Sequence, residues 1–220
     1  MADKKELHFF DEDRYFVKKN LNYSKYHRYF NPNDHSQVIG EATPIYMYWN
    51  KSIERIYVYN PQIKLIIILR NPIERAFSHW NMERDKGRER RTFLEAILDE
   101  KSKINSQNYS QNKILSYLDR GYYSKQIKNI YNYFNKNQLL ILRSEELREN
   151  PDRTLMNVAD FLSIPPFNPV DHKEINSRSY PQKMSDDEYT LLSGFYEEEF
   201  SSLEKILGWD LSSWSNQNGK

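Results

Sequence analysis

An α/β architecture on a parallel sheet is what this 220-residue sequence predicts, on three observations. Leu65-Ile66-Ile67-Ile68-Leu69 is an unbroken apolar run of strand length, and the residues after it can start a helix. Gln138 to Arg143 is a second strand-like run, again followed by a helix with its own start signal. Segments with apolar residues at helical spacing lie between the two. A strand apolar at every position is normally covered on both faces, as in a parallel sheet, and strands alternating with helices indicate right-handed βαβ units.

The elements follow in order. Lys5 to Asp11 reads as extended, which sets Glu6 and His8 on one side and Leu7 and Phe9 on the other. Val38 to Ala42 reads as a short strand ended by Thr43-Pro44, with a helix from about Tyr46 to Tyr57. Asn60-Pro61 breaks the chain before the strand Lys64 to Arg70. Asn71 can then cap a helix whose first position is Pro72, where a missing N–H costs nothing. Its core stripe is Ile73, Ala76, Phe77 and Trp80, which leaves Ser78 off the stripe. A helix is expected near Thr92 to Glu100, a polar loop over Lys101 to Asn112, and a helix carrying Tyr123, Ile127, Ile130, Tyr131 and Phe134 on one face. After the strand Gln138 to Arg143, Asn150-Pro151 opens a helix with Leu155, Val158, Ala159 and Leu162 inward. Ser185 and Glu188 form a capping box for a last long helix that presents Leu192, Phe195, Leu203 and Ile206 and stops at Gly208. Glu197-Glu198-Glu199 reads as its solvated face.

Length fits one domain over residues 1–220. Lys plus Arg number 32 against 31 Asp plus Glu, so no global basic field recruits nucleic acid and any anion site must be local. The absence of cysteine excludes disulfides, thiolate metal sites and a Cys nucleophile. Five scattered histidines give no metal-ligand spacing, and no metal is expected. The run Leu65–Leu69 falls far short of the ~20 residues a membrane span needs, and the charged N-terminus lacks the apolar core of a signal peptide. A soluble, cytoplasmic protein is the expectation. Most of the 17 tyrosines and 11 phenylalanines recur at helical spacing and read as core packing.

Two places carry chemistry. Where the apolar strand meets the capped helix, Arg70 offers a planar five-donor cation at the positive end of a helix dipole, which suits an anion. Spacing alone accommodates equally a phosphate pocket and a structural turn with a solvated Arg. Near the N-terminus, a carboxylate and an imidazole side by side, Glu6 and His8, can work as a base, while a surface carboxylate after two lysines fits the same residues.

The segment Arg70-Asn71-Pro72-Ile73-Glu74-Arg75-Ala76-Phe77-Ser78 resembles the 3′-phosphate-binding motif of sulfotransferases that use 3′-phosphoadenosine 5′-phosphosulfate (PAPS), especially the heparan-sulfate type and its bacterial relatives. Lys5-Glu6-Leu7-His8-Phe9-Phe10-Asp11, Gly40-Glu41-Ala42-Thr43-Pro44 and Leu139 to Leu147 extend the resemblance in the family's order. It implies a P-loop-NTPase-like three-layer sandwich with a central parallel sheet, with Arg70 and Ser78 as 3′-phosphate ligands and Glu6 as the general base, helped by His8. It also implies a loop closing over the nucleotide at Asn176 to Tyr180, with Arg178 as its basic residue and Lys173 as a second choice. PAPS is then the co-substrate, no metal is needed, and a small-molecule or glycan hydroxyl, or an amine, is the acceptor. Ala42 stands where heparan-acting members have Lys, which argues against heparan sulfate itself.

In the family a first strand and a Gly-rich loop with Lys and Thr or Ser precede the Lys-Glu-x-His-Phe-Phe segment and hold the 5′-phosphosulfate. Only Met1 to Lys4 precede Lys5, so first strand and phosphate loop are expected to be absent, transfer by the chain as written to be inefficient, and an uncovered sheet to favour self-association. The alternative is a non-catalytic relative that binds a nucleotide or sulfated ligand. A kinase-like phosphotransferase fits worst, since the sequence has neither a phosphate loop nor an evident Mg²⁺-binding Asp at a strand end.

Overall fold

The structure, a computed structural model, describes residues 1–17, 21–32, 38–168 and 182–216. In chain order the helices are α1 (Ser24–His27), α2 (Ile45–Tyr48), α3 (Ser52–Tyr59), α4 (Pro72–Asp85), α5 (Phe93–Ile104), α6 (Tyr123–Tyr131), α7 (Ser144–Glu149), α8 (Pro151–Leu162), α9 (Asp186–Leu207) and α10 (Ser212–Ser215). Among the described residues the strands are β1 (Leu65–Leu69) and β2 (Leu139–Arg143), paired in a two-stranded parallel sheet. The chain forms two compact units, residues 1–68 with 129–170, and residues 69–128 with 171–220.

The first unit is organised by aromatic packing. Phe9, Phe10, Tyr26, Tyr46, Ile53, Ile56, Ile130 and Phe134 are buried together, and Leu65 and Ile67 of β1 pack against them. With a side-chain period of two, Ile66 and Ile68 fall on the opposite face of β1, where they are 38% and 51% exposed. Coverage of both faces, expected from the unbroken apolar run, is thus not reached along β1. Nor is Val38–Ala42 a strand: the Ala2 N–H donates to Gly40 O at 2.8 Å, and one such bond does not make a ladder. The single helix expected from Tyr46 to Tyr57 is two, because Trp49 takes an extended conformation (ψ 116°) between α2 and α3.

In the second unit α4 begins where its sequence says. Asn71 Oδ1 accepts the Ile73 N–H at 2.9 Å, and Asn71 Nδ2 donates to Tyr189 Oη at 3.1 Å and to Trp214 O at 3.2 Å. One side chain therefore caps α4 and ties it to α9 and α10. Ile73, Ala76, Phe77 and Trp80 are buried as expected, but so are His79, Asn81 and Glu83. α5 and α9 each start with a complete capping box, Thr92 with Glu95 and Ser185 with Glu188, and α9 ends at Gly208 in the left-handed region (φ 68°). Glu199 is not part of a solvated face. It is buried, and its carboxylate accepts the N–H and the hydroxyl of Ser124, both at 2.7 Å. At Gly121 a Cβ would stand 2.2 Å from the Tyr196 hydroxyl, so only glycine fits the turn before α6.

Candidate functional site

In the second unit, Arg70 follows β1 directly and precedes the cap of α4. Its backbone is fixed by Tyr123, whose hydroxyl donates to Arg70 O at 3.2 Å. Arg70 is half-buried as a residue, and among the described residues its guanidinium has no hydrogen bond or ion pair. A cation partly withdrawn from water and given no protein counter-charge is costly unless a ligand supplies one. Ser78 lies in the second turn of α4, half-buried and off the apolar stripe. The helix amides contribute less than the sequence suggests, since Pro72 has no N–H and that of Ile73 is taken by the cap. Anion attraction here rests on Arg70 and the α4 dipole.

In the first unit, Glu6 and His8 meet: His8 Nε2 lies 3.5 Å from Glu6 Oε2, while His8 Nδ1 lies 3.3 Å from the Asp11 carboxylate. The pair is accessible, with side chains 40% and 51% exposed, whereas that of Asp11 is 3% exposed. The segment is not extended. Glu6 (φ 54°) and His8 (φ 53°) both adopt the left-handed conformation, and the chain kinks twice with Leu7 between. A carboxylate facing solvent, backed by an imidazole that a buried carboxylate orients, is an arrangement able to take a proton.

The kink is held by residues that sequence reasoning had placed only loosely. Thr43 Oγ1 accepts the Leu7 N–H at 3.0 Å, and Tyr46 Oη accepts those of Phe9 and Phe10 at 2.9 and 3.4 Å. Both hydroxyls donate to Glu41, Thr43 to Oε2 at 2.7 Å and Tyr46 to Oε1 at 3.2 Å. Burial, and after it the Glu41 carboxylate, push the Tyr26 and Tyr46 phenols well above their ordinary range, so both stay protonated. Arg178 and Lys173, the expected nucleotide-closing cations, lie outside the described residues.

A cavity of about 610 Å³ opens in the second unit between Arg88–Arg91 and Ser106–Ser116. Most of its charges are paired: Arg91 to Glu89 and to Asp99, each at 2.6 Å, Lys103 to Asp99 at 2.6 Å, and Arg88 to Glu83 at 3.4 Å. Burial pushes Glu89 up, but hydrogen bonds from Arg91 and Tyr117 outweigh it and hold the carboxyl down at about 2. Glu100 spends its oxygens on the N–H groups of Tyr117, Leu118 and Asp119. Such a wall offers little uncompensated charge to a ligand. Among the described residues no group of three or more His, Asp or Glu could hold a metal ion, and no helix is long and apolar enough to cross a membrane.

Residues 50–208 match the sulfotransferase domain family. The chain is 31% identical over 162 residues to heparan sulfate glucosamine 3-O-sulfotransferase 5 of Mus musculus, covering 73% of this chain and 45% of that protein. It is 33% identical over 110 residues to bifunctional heparan sulfate N-deacetylase/N-sulfotransferase 2 of Homo sapiens, covering 49% of this chain and 12% of that protein. It therefore spans less than half the length of these curated relatives. A crystal structure of a sulfotransferase from Alicyclobacillus acidocaldarius superposes with a TM-score of 0.79 at 25% identity, covering 98% of this chain and 87% of that one, so the α/β fold is the P-loop-like fold of sulfotransferases. With the family matched across most of its length and the fold shared along nearly all of it, the chain belongs to the sulfotransferase domain family.

Proposed function

We propose that this chain is a sulfotransferase domain that uses PAPS as sulfuryl donor and a hydroxyl or amine, on a small molecule or a glycan, as acceptor. The observation that carries this reading is Arg70, a half-buried residue whose guanidinium has no protein partner among the described residues, placed between β1 and the capped start of α4. Arg matches a phosphate bidentately, and a helix N-terminus favours negative charge, so the 3′-phosphate of the donor is the natural counter-ion, with the Ser78 hydroxyl as its second ligand. Names of relatives that act on heparan sulfate favour glycan acceptors, and Ala42 turns the choice away from heparan sulfate itself.

Glu6 serves as the base. It takes the acceptor's proton as the acceptor oxygen bonds to sulfur and the donor's bond between sulfur and its phosphate oxygen breaks, leaving 3′-phosphoadenosine 5′-phosphate. His8, held by Asp11, orients the Glu6 carboxylate. None of the six glycines lies in a Gly-rich loop followed by Lys and Ser or Thr, so the residues assigned here act on the 3′-phosphate and the acceptor rather than on the phosphosulfate end. The test is calorimetric titration with 3′-phosphoadenosine 5′-phosphate. Arg70→Ala is expected to lose about 2 kcal/mol or more of binding, the scale of a removed charged partner. Equal affinity for the variant and the unaltered chain would overturn the pocket.

A further inference from the structure

We propose that Tyr46 is a positioning residue, whose hydroxyl, oriented by Glu41, locks the backbone kink that brings Glu6 and His8 together. The inference rests on the reading of Glu6 as base and goes beyond it, because it concerns what holds that base in place.

The geometry is specific. Left-handed conformations at residues with side chains persist only where the surroundings over-determine them. Here the N–H groups that are pinned belong to Leu7 and Phe9, the residues that immediately follow left-handed Glu6 and His8. Fixing the peptide after a residue fixes its ψ, so each kink has its own clamp: Thr43 for Glu6 and Tyr46 for His8. A hydroxyl has one hydrogen. Because Thr43 and Tyr46 both direct that hydrogen to Glu41, the lone pairs left over must face the amides. One carboxylate thereby sets the polarity of both clamps.

Buried apolar anchors complete the restraint. Leu7, Phe9 and Phe10 are 7%, 3% and 1% exposed, and Arg55 Nη1 donates to Phe10 O at 2.8 Å from the far side. What remains outside is the pair Glu6 and His8. Without the Tyr46 hydroxyl the buried Phe9 N–H loses its acceptor, and His8 is free to relax towards negative φ, which swings its ring away from Glu6.

The test compares Tyr46→Phe, Glu41→Gln and Thr43→Ser in the whole chain, read by NMR, by nucleotide calorimetry and by steady-state transfer to an amine or hydroxyl acceptor. Tyr46→Phe is expected to remove the cross-peaks between the His8 ring and the Glu6 side chain and to lower kcat at least tenfold, with donor KM and nucleotide affinity unchanged. Glu41→Gln, whose amide can donate to the hydroxyls as well as accept from them, is expected to act alike, and Thr43→Ser, which keeps the clamp, to behave as the unaltered chain. A folded Tyr46→Phe protein with the His8–Glu6 cross-peaks intact overturns the proposal. Should Tyr46→Phe fail to fold, intact cross-peaks in Glu41→Gln overturn it in the same way. The cross-peaks need no turnover, so an absence of transfer by the unaltered chain would count against the sulfotransferase reading and not against the clamp.

Discussion

Glu6 and His8 each occupy a conformation that costs an L-residue about 1–2 kcal/mol, and they do so with a single residue between them. A sequence has little reason to place two such residues at adjacent kinks unless the side chains they present are used. Gly or Asn would relieve the backbone at either position, yet an acid and an imidazole stand there, 3.5 Å apart. Glu6→Gln tests the use directly. The substitution keeps size and φ while removing the proton acceptor, so turnover is expected to fall by roughly 10²- to 10⁴-fold, the usual worth of a positioned base. Nucleotide affinity should stay unchanged in the same preparation, and undiminished turnover would remove Glu6 from the mechanism. That Glu6 and His8 come together was legible from their spacing. The kink was not, because its clamps come from 36 and 37 residues further along the chain and no local pattern encodes them.

Elements whose limits depend on neighbours in sequence were the readable ones. β1 was expected over Lys64–Arg70 and spans Leu65–Leu69, and α4 starts at Pro72 behind an Asn cap, because strand end, cap and first-turn proline are contiguous. The break at Trp49 carries no Gly or Pro and was invisible for that reason. Glu199 was hidden differently: a run of three glutamates suggests solvent, but helical spacing aligns it with Tyr196 and Leu203 on the buried side. Asn71 shows how much one readable position can do beyond its local role. Asn71→Ala removes the cap and leaves the buried Trp214 carbonyl one donor short, so a destabilisation of about 1–3 kcal/mol is expected, against about 1 for an isolated exposed cap. Urea unfolding measures it. A loss no larger than that of the exposed cap variant Thr92→Ala, made in parallel, would show that the ties to α9 and α10 contribute nothing.

For the molecule as a whole, composition says little, since a formal charge of +1 leaves no global field to argue from. The response to acid comes instead from a few buried groups of opposing sign. His79 is 8% exposed, and burial first, then Arg120, Arg75 and Lys86, push it down to about 2 against a weaker upward pull from the Ser116 backbone. An unfolded imidazole titrates near about 6.5, so between that value and the folded one the unfolded chain binds a proton that the folded chain refuses. Stability from this group is present above about pH 6.5 and is lost as the pH falls, approaching about 1.4 kcal/mol per pH unit for a one-proton difference. Glu89, held at about 2, acts in the same direction once the pH drops below the ordinary carboxylate range. Glu100 and Glu199 oppose both, because burial raises them, and the folded state then holds a proton longer than the unfolded one. Glu100 and Glu199 begin to take up protons above the ordinary carboxylate value, so the contribution of His79 from about pH 6.5 to 5 is read as the difference between the unaltered chain and a variant without the imidazole. His79→Gln, which removes the titration and keeps a polar side chain, is expected to flatten the fall in urea-unfolding free energy across that interval. If the variant and the unaltered chain lose stability in parallel there, the buried imidazole is not what makes this protein acid-sensitive.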